Sequence, residues 1–421
     1  MAEAAQARIA AASEIETTRP EEASKEFRAV ALGDCPNTTD GIKAKESAIQ
    51  KLTDLYVKTG DAKALRALLS DLRPLFGVIP KAKTAKVVRT IIDSIAKVPD
   101  STQLQLEVCK EQVEWARQEK RNFLRQRIEA RLANLYLESR EFSAALALIG
   151  SLLKEVKRLD DKLLLVDIHL LESRVHHALR NIPRARAALT AARTAANAVY
   201  IPPGLQAEID TQSGLLHAEE RDYKTAYSYF YEAFEQSSAM DDSKAVYKLK
   251  YMLLCKIMTN DAEDVPSIIN SKGSVKYVGM EVDAMKAVAK AYQDRSLQGF
   301  QEAQEQYSEQ LDGDPVVHSH LSVLYDTLLE QNLCRLIEPF SRVEIEHIAK
   351  LIELDRRLVE RKLSQMILDK KISGTLDQGT GCLEVFEEPI EDGVYPAALD
   401  TYENMSKVVD ILFARSQKIM A

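Results

Sequence analysis

Histidines are the residues of this sequence whose spacing comes nearest to a metal-binding pattern. They cluster as His176-His177 and His318-x-His320, with His347 further along the chain. A zinc site needs three or four converging ligands, and helical zinc motifs place their histidines on one face. His318 and His320 are two positions apart on a predicted helix, so they project to different faces. Because no HExxH run or set of carboxylates accompanies them, we predict solvated or core histidines and no metal site.

Motifs for nucleotide binding and nucleophilic catalysis are missing as well. The sequence contains no GxxxxGKS or GxxxxGKT phosphate loop, no GxGxxG after a predicted strand and no GxSxG elbow, and Gly379-x-Gly381 lies in a predicted hairpin turn. A catalytic serine or cysteine also needs a base within hydrogen-bond reach, and no motif pairs the two. We therefore predict no catalytic, cofactor-binding or metal-binding residues, and no enzyme.

The five cysteines are odd in number, widely spaced and without a CxxC pair. They are Cys35, Cys109, Cys255, Cys334 and Cys382. This usage indicates reduced core thiols in a reducing compartment. The first residues contain no apolar stretch typical of a secretion signal, and no run reaches the roughly 18 apolar residues of a membrane span. We therefore expect a soluble intracellular protein that does not bind membranes.

A basic stretch near the C-terminus is the strongest signal for nucleic-acid binding. Its bases are Arg356, Arg357, Arg361, Lys362, Lys370 and Lys371, against the acids Asp355, Glu360 and Asp369. The whole chain is acidic, with a formal net charge of −8, and no aromatic residue accompanies the basic stretch for base stacking. A solvated or protein-binding face is the favoured interpretation, and a nucleic-acid contact is the alternative.

The composition favours helices. Aromatic residues make up 6% of the 421 residues, and only 15 glycines and 13 prolines interrupt the chain. Few helix breakers and many charged and aliphatic residues suit long helices joined by short turns. A chain of this length exceeds one compact core, so either two domains or an elongated repeat is expected.

Three windows of the sequence, which begin near Arg131, Leu171 and Thr211, align column by column. The aligned columns are Leu135, Val175 and Leu216; Phe142, Ile182 and Tyr223; the small residues Ala145, Ala185 and Ala226; and Ile149, Leu189 and Phe230. The offsets are 40 and then 41 residues, the length of two helices and two turns in tetratricopeptide-like or HEAT-like arrays. The small alanine column would allow the two helices of a pair to approach closely.

Turn-forming residues recur with a similar period and mark the predicted ends of helices. They are Gly60 to Ala62, Val98 to Ser101, Ser139 to Glu141, Arg180-Asn181, Glu220 to Asp222, Asn260 to Ala262 and Asp294 to Ser296. About seven helical hairpins therefore fit between residues 41 and 311. Such hairpins bury their apolar faces only against one another, so we expect a right-handed solenoid with two long docking faces. Residues 1–40 precede it as a variable segment.

The repeat stops near residue 312, and residues 312–390 follow a different pattern. Three predicted helices come first, the second capped by Ser341 with Glu344 and the third by Asp355. Two short alternating segments then flank a glycine-rich turn at 377–381 and predict a β-hairpin. Three helices and a hairpin make a winged helix, with the only convincing β-structure of the chain. Its predicted partner-contacting residues are Ile372, Leu376, Leu383 and Val385.

Residues 391–421 predict one last helix with an apolar stripe. The stripe runs through Ala398, Tyr402, Met405, Val409, Leu412, Ser416 and Ile419, spaced alternately four and three apart. This heptad spacing, over about 30 Å, is typical of a helix that packs against other helices. We expect Tyr402, Met405, Val409, Leu412 and Ile419 to enter a bundle formed with other chains; packing against its own domain is the alternative.

Several long stretches of sequence resemble one family. KYMLLCKIM at Lys250 to Met258, LEQNLCRLIEPFSRVEIEHIA at Leu329 to Ala349 and VERKLSQMILDKK at Val359 to Lys371 resemble the PCI-domain lid subunits of the 26S proteasome regulatory particle. DDKLLLVDIHLLESRVHHALRN and LTAARTAANAVY resemble the solenoid of the same family. The likeness runs from about Ala48 to the C-terminus. The PCI fold, a helical solenoid that ends in a winged helix, also occurs in the COP9 signalosome and translation initiation factor three.

The resemblance implies a scaffold without catalytic activity, in the cytoplasm and nucleus. It implies contacts with the other PCI subunits of the lid, with the α-ring of the core particle and an ATPase-ring subunit, and with the deubiquitinase module of the lid. In such a subunit the solenoid braces the lid and the ATPase base against the core, and the last helix enters the lid's helical bundle. Membership of a sister PCI complex is the alternative with the same fold.

Overall fold

The computed structural model describes residues 8–9, 11–13, 19–33, 39–73, 76, 80–99, 101–352, 354–386 and 393–420. Contacts within the chain divide it into two compact units, Met1–Thr259 and Asn260–Ala421. The domain boundaries predicted after residues 40, 311 and 390 remain predictions. Cys35 lies outside the described residues.

The first unit is helical throughout its described residues. Its helices are α1 (Pro20–Leu32), α2 (Thr39–Thr59), α3 (Ala62–Asp71), α4 (Lys81–Ile95), α5 (Thr102–Gln118), α6 (Asn122–Glu138), α7 (Phe142–Leu159), α8 (Lys162–Ala178), α9 (Ile182–Ala196), α10 (Pro203–Glu219), α11 (Tyr223–Ala239) and α12 (Ala245–Met258). Most of these helices pack mainly on their neighbours in the chain. The expected helical solenoid is confirmed.

The aligned columns of the sequence lie in the core of the first unit. Ala145, Ala185 and Ala226 are fully buried, and each lies in the first turns of the second helix of its pair. The buried apolar residues form successive clusters that overlap along the sequence, one from residue 9 to 135, the next from 130 to 175 and another from 166 to 216. Stacked hairpins contact only their neighbours, so their apolar residues form successive clusters and not one central core.

The turns that join the two helices of a pair share one backbone conformation. Arg140, Arg180 and Arg221 all have a positive φ, between 60° and 65°, and they recur at intervals of 40 and 41 residues. A left-handed residue after a helix ends the helix and returns the chain along it, usually with glycine at that position. The side chains of Asn181 and Asp222 then cap the following helices by accepting hydrogen bonds from backbone N–H groups.

The second unit combines shorter helices with one small sheet. Its elements are α13 (Val265–Ile269), α14 (Met280–Gln293), α15 (Leu297–Gln306), α16 (Ser308–Asp312), α17 (Pro315–Ile337), β1 (Arg342–Glu344), α18 (Ile345–Ile352), α19 (Arg356–Leu368), β2 (Gly374–Asp377), β3 (Cys382–Val385) and α20 (Val394–Met420). The strands are antiparallel in the order β1-β3-β2. Val343 and Leu376 both pair with Leu383. The sheet and the helices α17 to α19 form the expected winged helix.

Two details of the winged-helix prediction were wrong. Ser341 and Glu344 do not form a capping box, because Arg342–Glu344 is a third strand and α18 begins only at Ile345. The hairpin is therefore not the whole β-structure of this unit. Asp355 does stand at the N-terminus of α19, but its side chain makes no capping hydrogen bond. Strand β1 has three residues, and only the middle one is buried. Three residues give too little alternation in the sequence to distinguish a short strand from the start of a helix.

Candidate protein-interaction surfaces

The last helix, α20, presents its apolar residues to the outside. The five residues predicted for bundle packing are largely exposed: Tyr402 71%, Met405 59%, Val409 61%, Leu412 59% and Ile419 85%. Packing against its own domain would have buried this stripe. A long helix of 27 residues with an uncovered apolar stripe needs a partner surface, because exposed apolar patches of this size mark interaction sites.

The apolar surface of α20 is wider than the predicted stripe. Leu399, Val408, Ile411 and Phe413 are also exposed, each by more than half. At 3.6 residues per turn, these positions widen the apolar arc to more than half of the helix circumference. A helix that contacts one neighbour needs an arc of only about 100°. The width of this arc favours burial between at least two partner helices.

The four residues predicted for contacts at the wing differ in their exposure. Leu383 is fully buried and Ile372 nearly so, whereas Leu376 and Val385 are half-buried. Leu383 lies on the central strand, between Val343 and Leu376. Leu383 and Ile372 therefore hold the wing together from inside. Of the four, Leu376 and Val385 have side chains that a partner could reach, and the contact itself remains a prediction.

Replacing Leu383 by glutamate is expected to unfold the wing. The side chain is fully buried, so the change removes apolar burial and leaves a carboxylate in the core, at a combined cost of more than about 3 kcal/mol. Glu384→Gln, on the exposed face of the same strand, is the control and should change stability by less than about 0.5 kcal/mol. Calorimetry on the full chain measures both. Unchanged thermal stability and unchanged subunit association of L383E would contradict the prediction.

Acidic side chains of α17 neutralise part of the basic stretch on α19. Lys362 Nζ lies 3.3 Å from Asp326 and 3.1 Å from Glu330, and Lys371 also pairs with Glu330. Burial opposes ionisation of Glu330, but hydrogen bonds from Lys371 and Lys362 outweigh it and lower its pKa. Two of the six bases therefore hold the helices of the winged helix together. The sequence could not show this, because the acids come more than 30 residues earlier.

The histidines occupy both buried and exposed positions. Among the described residues there is no group of three or more histidine, cysteine, aspartate or glutamate side chains that could hold a metal ion. His177 lies 3.5 Å from Glu219, and His318 lies 3.0 Å from Asp312, whereas His176 and His320 are buried. The predicted mixture of core and solvated histidines is what the structure contains.

Buried thiols are expected to resist alkylation. Burial raises the pKa of Cys109 to about 11 and that of Cys255 to about 12. At pH 8 fewer than about one in a thousand of such thiols is the reactive thiolate, against roughly a quarter of a free cysteine. Iodoacetamide labelling read by mass spectrometry should therefore be at least ~100-fold slower in the native chain than in guanidinium. Equal rates in the two conditions would contradict the buried placement.

Three protein-family models match parts of this chain. The 26S proteasome regulatory subunit RPN6 N-terminal domain matches residues 5–139, the PCI domain residues 304–387, and the RPN6 C-terminal helix domain residues 391–417. The 26S proteasome non-ATPase regulatory subunit 11 homolog of Arabidopsis thaliana is 62% identical over 390 residues, which cover 93% of either chain. The chain belongs to the Rpn6 family of 26S proteasome regulatory subunits.

More distant Rpn6 relatives match over a similar length. The Dictyostelium discoideum 26S proteasome non-ATPase regulatory subunit 11 is 53% identical over 376 residues, 89% of this chain and 91% of the relative. The Saccharomyces cerevisiae 26S proteasome regulatory subunit RPN6 is 48% identical over 377 residues, 88% of this chain and 87% of the relative. The resemblance noted in the sequence is confirmed, and the RPN6 N-terminal match extends it back to residue 5.

No helix in the described part of the chain has the length and apolar character of a membrane span. The family's C-terminal helix domain coincides with α20 and its exposed stripe. The PCI match covers the winged helix and the short helices just before it. Rpn6 subunits are regulatory in name and generally non-catalytic.

Proposed function

We propose that this chain is a non-catalytic scaffold subunit of the proteasome lid in the cytoplasm and nucleus, where it acts in ubiquitin-dependent protein degradation. The observation that carries the proposal is the 62% identity with the Arabidopsis subunit over 93% of each chain. The aligned length is nearly that of the whole chain, so the match supports assignment of the whole subunit and not of a single domain. The uncovered apolar arc of α20 supports a role that depends on neighbours, since that arc is costly to leave in water.

Each part of the chain has its own proposed partner. The wing, through Leu376 and Val385 supported by Ile372 and Leu383, contacts other PCI subunits of the lid. The stripe of α20 enters a helical bundle with lid subunits that include the deubiquitinase module. The solenoid, proposed to span residues 41–311, contacts the α-ring of the core particle and an ATPase-ring subunit. Stacked hairpins suit this last task because they provide long faces for distant partners.

Affinity purification of the tagged full-length chain, followed by mass spectrometry, tests the proposal. We expect the lid, the ATPase ring and the core particle to co-purify with it in comparable amounts. The sister complexes share the PCI fold, so they are the specific alternative. Recovery of COP9 signalosome or initiation-factor subunits in place of proteasome subunits would refute the assignment.

Duplex DNA is expected not to bind. Lys362 and Lys371 are engaged by acids of α17, and the whole chain carries a net charge of −8. Non-specific DNA affinity comes from cations that replace counterions on phosphates, and it weakens as salt rises. A salt-titrated binding assay with the full-length chain should find a Kd weaker than about 10⁻⁴ M near 100 mM salt. A micromolar Kd at that salt would support the alternative that the winged helix binds nucleic acid.

A further inference from the structure

The apolar stripe of α20, extended by Tyr395, forms a seam that matches itself when the helix is reversed. The helix has 27 residues and is about 40 Å long. When two copies lie antiparallel and are centred at the level of Lys407, every seam residue of one copy faces a seam residue of the other. The facing pairs are Tyr395 with Ile419, Ala398 with Ser416, Tyr402 with Leu412, and Met405 with Val409. Each pair occurs twice, once on either side of the centre, as a twofold axis requires.

The positions that flank this seam are mostly apolar as well. Reversal brings Leu399 of one copy beside Phe413 of the other on one flank, and Val408 beside its own copy on the opposite flank. These three side chains are each exposed by more than half. Charged flanks set partner choice in paired helices, and like charges keep copies apart. Here the only charged residue at the seam and flank positions from 395 to 419 is Arg415, so little repels a second copy.

The exposed apolar surface of α20 is large enough for a dimer. Nine large apolar side chains at seam or flank positions are exposed by more than half: Tyr395, Leu399, Tyr402, Met405, Val408, Val409, Leu412, Phe413 and Ile419. If pairing removes roughly 50–80 Å² of each from water, two copies bury about 900–1,400 Å² in total. A specific interface needs about 1,000 Å². A second copy of the chain therefore provides enough contact area.

An antiparallel direction suits this seam better than a parallel one. A parallel pair would place the two Tyr402 rings in one layer and both Arg415 side chains at one level of the pair. The antiparallel pair places Tyr402 against Leu412 and separates the two Arg415 positions by about 24 Å along the axis. It also brings the positive end of each helix dipole beside the negative end of the other.

We propose that free copies of this chain form an antiparallel dimer through α20, in the pairs given above. The second copy covers the same stripe that is proposed to enter the lid bundle, so dimer formation and incorporation exclude each other. Two helices leave exposed Ile411 uncovered, whereas a bundle with more helices can bury it as well. Lid helices can therefore displace the second copy. The dimer itself needs no lid subunit and does not rest on the proposed function.

Sedimentation velocity of the purified full-length chain tests the dimer. At about 10 µM we expect twice the mass of one chain. Val409→Glu with Leu412→Glu should weaken association at least ~100-fold, because it places charges against Met405 and Tyr402 of the second copy. Ala414→Glu with Gln417→Glu adds the same charge outside the seam and should leave the dimer intact. A chain that is monomeric at this concentration, or a V409E/L412E variant that still dimerises, would overturn the inference without bearing on co-purification with the proteasome.

Disulfide formation between two variants tests the register. Ala398→Cys and Ser416→Cys are made on separate full-length chains, which are mixed and oxidised. These positions face each other only in the antiparallel pair, where two cysteines are close enough for a disulfide. We expect linked peptides that join the two variants, identified by mass spectrometry, and none when Ala414→Cys replaces Ser416→Cys. S416C linked to its own copy, or no link in a sample that sediments as a dimer, would overturn the inference.

Discussion

Replacing Val409 and Leu412 together by glutamate is expected to block incorporation of the chain into the proteasome while leaving the free chain folded. Both side chains are about 60% exposed in the free chain, so the change costs little there. In a helical bundle each site would lose about 2 kcal/mol of apolar burial and gain a charge to desolvate. A loss of about 4 kcal/mol weakens association roughly 1,000-fold. Native gels of reconstituted lid and circular dichroism of the free variant measure the two effects.

The polar face of the same helix supplies the matched control. Ala414 and Gln417 are exposed and three residues apart, as Val409 and Leu412 are, and lie outside the stripe. Ala414→Glu with Gln417→Glu adds the same charge with the same spacing and should permit normal lid assembly. Deletion from Met405 onward should reproduce the block. Normal assembly of V409E/L412E, or equal loss in the control, would refute the assignment of the stripe to a bundle.

Replacing Gly214 by alanine is expected to destabilise the solenoid, although alanine is usually more favourable than glycine inside a helix. A Cβ at this position of α10 would lie 2.7 Å from Cε1 of Phe230 on α11. The Phe230 ring is buried and is itself backed by the ring of Tyr251, with centres 5.3 Å apart. Because the ring has no room to move, we expect a net loss of about 2 kcal/mol of unfolding free energy despite the better helix propensity of alanine.

Gly150 offers the same substitution without the crowding. It lies inside α7, is exposed, and a Cβ there would meet no atom within 4 Å. Gly150→Ala should therefore raise stability by about 0.5–1 kcal/mol. Thermal unfolding of the two full-length variants compares them directly, and opposite signs are expected. A stabilised G214A would mean that α10 and α11 are not packed through Gly214 and Phe230.

Much of this fold was predictable because buried apolar residues recur in the sequence with the period of the secondary structure. The columns of Ala145, Ala185 and Ala226 predicted the helix pairs, and all three alanines are fully buried. The alternating residues around the turn at 377–381 predicted β2 and β3 in the right places. The stripe of α20 was recognised because seven residues kept one spacing without a second helix to cover them. In each case the pattern is local and repeated.

Features that depend on contacts distant in sequence were not predictable. The turns at Arg140, Arg180 and Arg221 were predicted, but their left-handed backbone was not, because these residues are arginine in place of the usual glycine. The pairing of Lys362 with Asp326 and Glu330 joins helices far apart in the chain. Such features arise from tertiary packing, which the local sequence pattern does not encode.

In the proposed function, this chain holds other subunits together and performs no chemical step. Depletion of the chain from cells, followed by native gels with an in-gel peptidase assay and quantification of each particle, tests this most directly. We expect fewer complete 26S particles, more free core particle, and normal activity per remaining 26S particle. A normal amount of complete particles with reduced activity in each would contradict it.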